Sequence, residues 1–336
     1  MKAVGYRTPG PVDRSDALQD IELETPQPQG RDLLVKIAAV SVNPIDTKLR
    51  GNRPPENEWA VLGFDASGVV EAVGPEVRHY RVGDAVYYAG CFDRPGTNSE
   101  FHLVDERIVG TKPHSLSHAE AAALPLTAIT AWEMLFDRLD VNTSTPQGGN
   151  SILIIGGAGG VGSIAIQLLR ALTDLTVIAT ASRPETRQWV QDCGAHCIID
   201  HSQALAPQLK ALGLAAPGFV FSTTQSARHF TDIAELIAPQ GRLGVIDDLS
   251  DVSIMPLKQK SLSLHWEFMF TRPLYATPDI AEQGAVLNRI AELVDCGEIR
   301  STLSEVAGGI NADNLRRVHA LIESGKAKGK IVLEGF

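Results

Sequence analysis

The pattern of apolar and polar positions changes character near residue 120. Before that point it consists of short alternating stretches, such as Leu33–Val40 and Gly68–Gly74, between turn residues such as Asn43-Pro44. Alternation of this kind, bounded by Gly and Pro, is typical of β-strands. We therefore predict a compact, partly open β-barrel for the first region.

The second region begins with two predicted helices, Ala119–Leu124 and Thr127–Phe136, followed by a polar turn at Pro146–Asn150. Apolar runs then recur, with helical patterns between most of them, at Ile152–Ile155, Leu175–Ala179, Cys197–Ile199, Phe219–Phe221, Leu243–Ile246 and Leu262–Phe270. Alternating strands and helices form βαβ units, whose parallel sheet is covered by helices on both faces. Six such strands make a complete dinucleotide-binding sheet of the doubly wound Rossmann type.

The C-terminal region is expected to return to the first domain. Apolar residues recur at helical spacing at Leu287, Ile290 and Val294 and again at Leu315, Val318 and Ile322, and a strand is predicted over Gly329–Leu333. We predict a discontinuous catalytic domain, residues 1–123 and 271–336, with a nucleotide-binding domain, residues 124–270, inserted into it. A ligand is expected in the cleft between the two domains.

The most specific motif is the glycine-rich loop within Ser151–Ile166, which reads Gly-x-Gly-x-x-Gly. It follows a buried strand and opens an amphipathic helix, which is the context that a dinucleotide site requires. Glycines let the backbone approach a pyrophosphate, and the amides of the helix N-terminus attract its charge. We predict cofactor contacts from Gly157, Gly159, Gly160, Val161 and Gly162.

The residues after the second strand of this domain indicate which dinucleotide binds. An NAD site places Asp or Glu there to bind the ribose hydroxyls. This chain has Thr180-Ala181-Ser182-Arg183 instead, and Glu185 is expected on the following helix. Ser182 and Arg183 suit a 2′-phosphate, so we predict NADP. His201 is expected beside the adenosine.

Composition and charge exclude several other classes of protein. The formal net charge is −10, and no basic cluster suits nucleic acid. The apolar stretch Ser151–Leu169 is broken by five glycines, so it is not expected to span a membrane. Four cysteines in 336 residues do not make a disulfide framework, and the N-terminus lacks a signal-peptide core. A cytoplasmic protein with a small-molecule substrate is expected.

Five segments in matching order make the chain resemble the medium-chain dehydrogenase/reductase superfamily. The nearest resemblance is to its quinone oxidoreductase-like branch, which includes zinc-type alcohol dehydrogenase-like proteins. The segments are Val42–Asp46, Leu62–Val70, Arg81–Val86, Leu124–Ala128 and the glycine-rich loop. The resemblance implies a GroES-like catalytic domain beside the Rossmann domain, and a homodimer.

The positions that bind catalytic zinc in zinc-dependent members of the superfamily differ here. They hold Asn43, Phe64 and, approximately, Leu126, whereas a catalytic zinc needs three protein ligands such as Cys, His or a carboxylate. The four-cysteine lobe that binds structural zinc is also missing, since Cys91–Asp105 contains one Cys and one His. A second cluster, Cys193, His196, Cys197 and His201, is explained more simply by buried cysteines. We predict no metal.

Without a Lewis acid, hydride addition to a quinone or an α,β-unsaturated carbonyl demands least of the protein. Asn43 is predicted to orient the substrate or nicotinamide, with Asp46 supporting its loop. The alternatives are a turn residue before Pro44 for Asn43 and a structural role for Asp46. Thr127 is predicted either to contact the nicotinamide or to cap a helix, and Lys330 completes the predicted cofactor-binding set.

The aromatic residues Tyr87, Tyr88, Phe92, Trp266, Phe268 and Phe270 either line an acceptor pocket or belong to the core. No histidine stands out as a general acid, so water is the predicted proton source. Two other functions stay open from the sequence. One is an alcohol dehydrogenase with unrecognised zinc ligands, and the other is an NADPH-binding protein with little turnover.

Overall fold

The computed structural model describes residues 1–143 and 149–336. Their contacts divide into two units, the first made of Met1–Ile129 with Phe270–Phe336 and the second of Thr130–Met269. The divisions fall close to the sequence-based boundaries at residues 124 and 270. Most of the polar turn predicted at 146–150 lies outside the described residues, whereas Gly149 and Asn150 begin a strand.

The regular elements within the described residues are as follows. The strands are β1 (Lys2–Tyr6), β2 (Gln19–Glu22), β3 (Asp32–Ser41), β4 (Ala60–Val61), β5 (Asp65–Val73), β6 (Ala85–Ala89), β7 (Phe101–Asp105), β8 (Val109–Thr111), β9 (Gly149–Ile155), β10 (Thr176–Thr180), β11 (Cys197–Ile199), β12 (Pro217–Ser222), β13 (Arg242–Val245), β14 (Ser263–Trp266), β15 (Leu303–Val306) and β16 (Lys330–Glu334). The α-helices are α1 (Pro44–Asn52), α2 (His118–Ala122), α3 (Pro125–Trp132), α4 (Gly160–Leu172), α5 (Pro184–Asp192), α6 (Leu205–Ala211), α7 (Ser226–Leu236), α8 (Thr271–Leu274), α9 (Glu282–Asp295) and α10 (Ala312–Glu323).

The first unit is built around a seven-stranded sheet, in the order β15-β16-β3-β5-β6-β8, with β7 also paired to β3. A smaller sheet has the order β2-β1-β4. Strand β3 is central because eight of its ten residues are buried. The last strand, β16, pairs antiparallel with β3, with Val332 opposite Ser41. The C-terminal strand thus lies in the sheet of the first unit.

The second unit is a six-stranded, wholly parallel sheet in the order β11-β10-β9-β12-β13-β14. Apolar side chains of its strands, such as Leu153 and Val220, pack with Phe230 and Ile233 of α7 in one core. The strand order reverses direction beside β9, and ligands of such sheets bind at this switch point. The predicted two-domain α/β fold, GroES-like and Rossmann, is confirmed.

Two elements differ from their predicted extents. Strand β14 stops at Trp266, short of the predicted end at Phe270, because Phe270 already has helical dihedral angles and precedes α8. The helix predicted over Thr127–Phe136 begins earlier, at Pro125, and becomes a π-helix over Glu133–Arg138. π-Helices are rare and occur often at functional sites.

Among the described residues, no helix is both long enough and apolar enough to cross a membrane.

Candidate active site

The glycine-rich loop joins β9 to α4 in the second unit, and three of its glycines are needed for packing. Gly156 has a φ of +82°, and a Cβ on it would lie 2.4 Å from Thr223 Oγ1. A Cβ on Gly157 would lie 2.9 Å from the Cβ of Ala179 in β10. A Cβ on Gly162 would lie 2.4 Å from the carbonyl oxygen of Gly156. Glycine at these positions therefore lets the loop and α4 approach the sheet closely.

Gly159 has no such packing role. The nearest atom to a Cβ on it would be the Gly156 carbonyl oxygen at 3.4 Å, and its φ of −73° suits any residue. Gly159 is the N-cap of α4, and among the described residues no side chain caps this helix. The helix N-terminus thus has an uncovered backbone surface that fits the pyrophosphate of a dinucleotide. Gly160 and Val161 are the first residues of this helix.

Basic groups gather beyond the end of β10, where Ser182 and Arg183 are half-buried. Arg183 Nε lies 2.9 Å from Glu185 Oε1, so the nearest carboxylate, on α5 as predicted, is already paired. His201 Nδ1 lies 3.2 Å from Thr180 Oγ1. Burial lowers the pKa of His201, Asp200 opposes this shift, and the charges of Arg228 and Arg183 reinforce it. His201 therefore lies within range of the charges of Asp200, Arg228 and Arg183.

Asp65 is the centre of a buried polar cluster in the first unit. It stands at the start of β5, and its Oδ2 accepts hydrogen bonds from Asn43 Nδ2 at 2.8 Å and Ser41 Oγ at 2.9 Å. Its Oδ1 accepts the backbone N–H of Leu126 at 2.7 Å. Lys330 Nζ lies 3.0 Å from Oδ2, and both side chains are almost fully buried. The sequence reasoning missed Asp65 as a site residue, although a carboxylate at the start of a buried strand was an available signal.

Lys330 and Asn43 are fully engaged in this cluster. The Lys330 ammonium also donates to the Val42 carbonyl at 3.0 Å and to Asn43 Oδ1, so its three N–H groups have partners within the first unit. The Asn43 amide donates to Asp65 and the Ser41 carbonyl, and the whole residue is 1% exposed. This geometry favours the structural alternative for Asn43 and a role inside the cluster for Lys330.

Asp46 fixes the loop before Phe64. Its carboxylate accepts the backbone N–H of Asn43 at 2.8 Å and that of Gly63 at 3.0 Å, and Gly63 has a φ of +99°. Burial raises the pKa of Asp46 to about 7, although these two hydrogen bonds and the Lys330 charge act in the opposite direction. The hydrogen bonds of Asp46 thus hold the backbone of Asn43 and Gly63 in place.

Thr127 lies inside the first turn of α3. The helix begins at Pro125, so the alternative in which Thr127 caps it is wrong. Its hydroxyl donates to the Leu124 carbonyl at 3.0 Å, and the residue is 2% exposed. Its predicted contact with the nicotinamide stays a prediction.

An aromatic cluster surrounds Phe64, at the position where the resemblance to zinc-dependent members would place a zinc ligand. The Phe64 and Phe270 ring centroids are 4.6 Å apart, and those of Phe92 and Phe270 are 5.5 Å apart. Phe64 and Phe92 also line a cavity of about 400 Å³ in the first unit. The other predicted pocket residues lie elsewhere, since Tyr87 and Tyr88 are fully buried in the core and Trp266 and Phe268 are exposed.

The comparisons with known proteins agree with this architecture. The alcohol dehydrogenase GroES-like domain family matches residues 29–130, and the zinc-binding dehydrogenase family matches residues 160–277. A zinc-type alcohol dehydrogenase-like protein of Staphylococcus aureus is 39% identical over 335 residues, which cover 99% of each chain. The chain belongs to the medium-chain dehydrogenase/reductase superfamily, in its quinone oxidoreductase-like branch.

Other members of the superfamily are similar over most of their length. The human mitochondrial NAD(P)H oxidoreductase RTN4IP1 is 31% identical over 333 residues, which cover 90% of this chain and 81% of the human protein. A crystal structure of a Rhizobium etli protein assigned to the zinc-dependent alcohol dehydrogenases has a TM-score of 0.98 and 60% identity, covering 100% and 98% of the two chains. The quinone oxidoreductase of Pseudomonas syringae has a TM-score of 0.83 and 25% identity, with 99% coverage of both. The protein is an oxidoreductase of this superfamily.

The residues present do not fit the zinc that several of these names imply. Phe64 and Leu126 offer no donor side chain, and Asn43 is bonded to Lys330 and Asp65. The Lys330 ammonium already neutralises Asp65, and a dication beside it would be repelled. Within the described ranges, no group of three or more His, Cys, Asp or Glu side chains is arranged to hold a metal. His196, from the second candidate cluster, accepts the Val177 N–H and contacts Arg170.

Proposed function

We propose that this superfamily member is a zinc-independent oxidoreductase that uses NADPH to reduce a quinone or an α,β-unsaturated carbonyl compound. The observation that carries the proposal is the buried Lys330 ammonium, held by Asp65 and Asn43 where zinc-dependent relatives bind their metal. The chain thus fills this place with a neutral ion pair of its own, in which the Asp65 carboxylate is already occupied. Bound NADPH supplies the hydride, and no metal-bound alkoxide is needed.

The loop and strand ends of the second unit would hold the cofactor. The uncovered N-terminus of α4 at Gly159 and Gly160 suits the pyrophosphate. Arg183, with Ser182 beside it, suits a 2′-phosphate, because a guanidinium binds phosphate with two parallel hydrogen bonds. The pairing of Arg183 with Glu185 is half-exposed, so a phosphate can replace that carboxylate at little cost.

The roles proposed for the first unit follow from its hydrogen bonds. Asp46 and Asn43 are positioning residues that hold the turn leading into Phe64. Thr127 is proposed to contact the nicotinamide. No side chain is proposed as the general acid, so water delivers the proton to the reduced acceptor.

The first experiment follows NADPH oxidation with a quinone and a short 2-alkenal, on protein whose metal content has been measured. We expect turnover with NADPH, much slower turnover with NADH, and no change after treatment with a chelator. Stoichiometric zinc together with chelator-sensitive alcohol oxidation would overturn the proposal. Tight NADPH binding without turnover of any acceptor would favour a binding protein.

A pair of loop variants tests the cofactor site. Gly159→Ala adds a methyl group to the uncovered surface without a protein clash, so NADPH binding should weaken while the melting temperature stays unchanged. Gly162→Ala forces a Cβ into the Gly156 carbonyl oxygen. It should lower both the affinity for NADPH and the melting temperature. Equal NADPH affinity in wild type and Gly159→Ala would show that the pyrophosphate does not bind at this loop.

The choice of NADPH is tested at Arg183. Arg183→Ala should raise the KM for NADPH roughly ten-fold, in line with the loss of a charged hydrogen bond, and leave that for NADH unchanged. Arg187→Ala is the matched control, because Arg187 lies on the same segment but donates to the Ala181 carbonyl. Parallel changes for both cofactors would contradict the proposed 2′-phosphate contact.

A homodimer joined through β14 is proposed as the assembly. Strand β14 is the edge of the parallel sheet, and Trp266 and Phe268 are 52% and 44% exposed at its end. Unpaired edges with exposed aromatic side chains suit pairing with a second copy. Light scattering of wild type and Trp266→Arg tests this, with a monomeric wild type as the contrary result. The four free cysteines favour a reducing cytoplasm as the compartment.

A further inference from the structure

The cavity of about 400 Å³ in the first unit has both aromatic and charged side chains in its wall. Phe64 and Phe92 form one part of the wall, and Trp59 and Leu62 another. Its volume falls in the range of small-molecule sites, which is roughly 300–1,000 Å³. Aromatic walls of this kind suit a flat ring system, which they contact over a large area.

The charges around the cavity are paired with one another, apart from the Asp93 carboxylate, which interacts with Cys91. Arg53 Nη2 donates to Glu56 at 2.9 Å, and Arg94 Nη1 donates to Asp32 at 2.8 Å. Glu58 pairs with Arg7, whose guanidinium lies 4.2 Å from the centre of the Trp59 ring. Because these charges are already balanced, the cavity suits an uncharged ligand.

Arg53 is a rigidly held donor in this wall. Its Nη1 donates to the Phe92 carbonyl at 3.0 Å, and its guanidinium lies 5.1 Å from the centre of the Phe92 ring. Its backbone is anchored as well, since the Tyr6 hydroxyl donates to its carbonyl at 2.8 Å. A guanidinium has five N–H donors, and the hydrogen bonds in the described structure engage two of them. Arg53 therefore has donors left for a ligand oxygen.

We propose that this cavity is the acceptor site and that Arg53 is a catalytic residue that binds the acceptor's carbonyl oxygen. The inference rests on the proposed function and narrows its substrate class to uncharged one- or two-ring quinones. Hydride from NADPH carries two electrons to the quinone, whose oxygen becomes anionic while NADPH becomes NADP⁺. Water then supplies one proton to give the hydroquinone. Arg53 stabilises the anionic oxygen, as donors fixed in advance do in other active sites.

The placement of the ligand is tested by fluorescence without NADPH, so that no turnover occurs. Trp59 is one of four tryptophans in the chain, and a quinone bound against it should quench its emission. Titration with 1,4-naphthoquinone should therefore give saturable quenching in wild type that is largely lost in Trp59→Phe. Equal quenching in Trp59→Phe would overturn the proposed site.

The role of Arg53 is tested by steady-state kinetics with 1,4-naphthoquinone. Arg53→Met should lower kcat roughly 10–100-fold, less than for a fully buried donor because this side chain is about one-third exposed. Arg53→Lys should recover part of the loss, since it keeps the charge. Arg81→Met removes an equally charged but 89% exposed side chain outside the cavity and should match wild type. Wild-type kcat in Arg53→Met would overturn the inference.

The two proposals fail in different ways. If wild type oxidises NADPH with quinones but neither Trp59 nor Arg53 affects it, the reductase stands and this acceptor site is wrong. If wild type reduces no acceptor, the proposed function and the catalytic role of Arg53 are both overturned. The quenching experiment then still decides whether quinones bind in this cavity.

Discussion

The two units bury charged side chains in opposite ways. In the first unit, Asp65 and Lys330 carry opposite charges and lie 3.0 Å apart. In the second, two carboxyl groups, Glu133 and Glu267, are buried together, with Arg138 Nε 2.9 Å from Glu267. Burial raises the pKa of Glu267 to about 9, the Glu133 charge and hydrogen bond add to the shift, and Arg138 opposes it.

The two units differ in how they avoid an unbalanced buried charge. The first cluster holds a carboxylate and an ammonium, each stabilised by the other and by hydrogen bonds. The second favours the neutral form of the Glu267 carboxyl group, because burial and the neighbouring Glu133 both disfavour its charge. The location is also distinctive, since the chain enters the second unit at Thr130 and leaves it at Met269. Glu133 and Glu267 therefore join the first and last segments of the second unit to each other.

The largest expected effect comes from removing Lys330. Lys330→Met leaves Asp65 buried without a counter-charge, which should lower the free energy of unfolding by about 3–5 kcal/mol. Adding Asp65→Asn should recover part of this loss, because no charge is then buried. Urea denaturation of the single and double variants measures both, with the exposed Lys326→Met as control. A single variant no less stable than the double one would show that the pair does not act as described.

A smaller effect with a pH dependence is expected at Glu267. Its folded pKa of about 9 exceeds the ordinary value of 4.5, so its stabilisation is complete below pH 4.5 and is lost as pH rises towards 9. Relative to Glu267→Gln, wild type should lose unfolding free energy steadily over that interval. The exposed Glu71→Gln serves as control. Parallel pH curves for wild type and Glu267→Gln would contradict the raised pKa of Glu267.

Asp46 should show the smallest effect and the narrowest pH interval. Its folded pKa of about 7 also exceeds its ordinary value of 3.8, so its stabilisation falls between those two pH values. Relative to Asp46→Asn, wild type should lose unfolding free energy between those pH values and nothing further above pH 8. Urea denaturation at a series of pH values separates this curve from that of Glu267. A difference that continued to change above pH 8 would contradict it.

The sequence was sufficient for the fold and for the glycine-rich loop. A buried strand, closely spaced glycines and an amphipathic helix follow one another along the chain, so local pattern predicts the site at Gly157–Gly162. The cluster around Asp65 could not be predicted in this way, because Lys330 is distant in sequence and pairs with it only through the register of β16 on β3. Arg53 and Trp59 belong to no motif, and they were found only from the cavity that they line.

The π-helix shows the same limit of local pattern. The run from Thr127 to Phe136 has the composition of an ordinary helix. A Cβ on Gly244 of β13 would lie 2.3 Å from Met134 Sδ, so the segment packs closely on the sheet where a larger residue would prevent it. The π-helix thus occurs together with this tertiary packing and with the buried Glu133 and Glu267. Helix propensity alone does not indicate it.

The discontinuity of the first unit also sets an order on biosynthesis. The ribosome makes all of Thr130–Met269 before it reaches Lys330, so the inserted unit can fold while the surrounding one still lacks its final strand. Until β16 emerges, residues Ala39–Ser41 of β3 lack that partner strand and Asp65 lacks the Lys330 counter-ion. The nascent chain is therefore most in need of chaperone protection after its second unit is already complete.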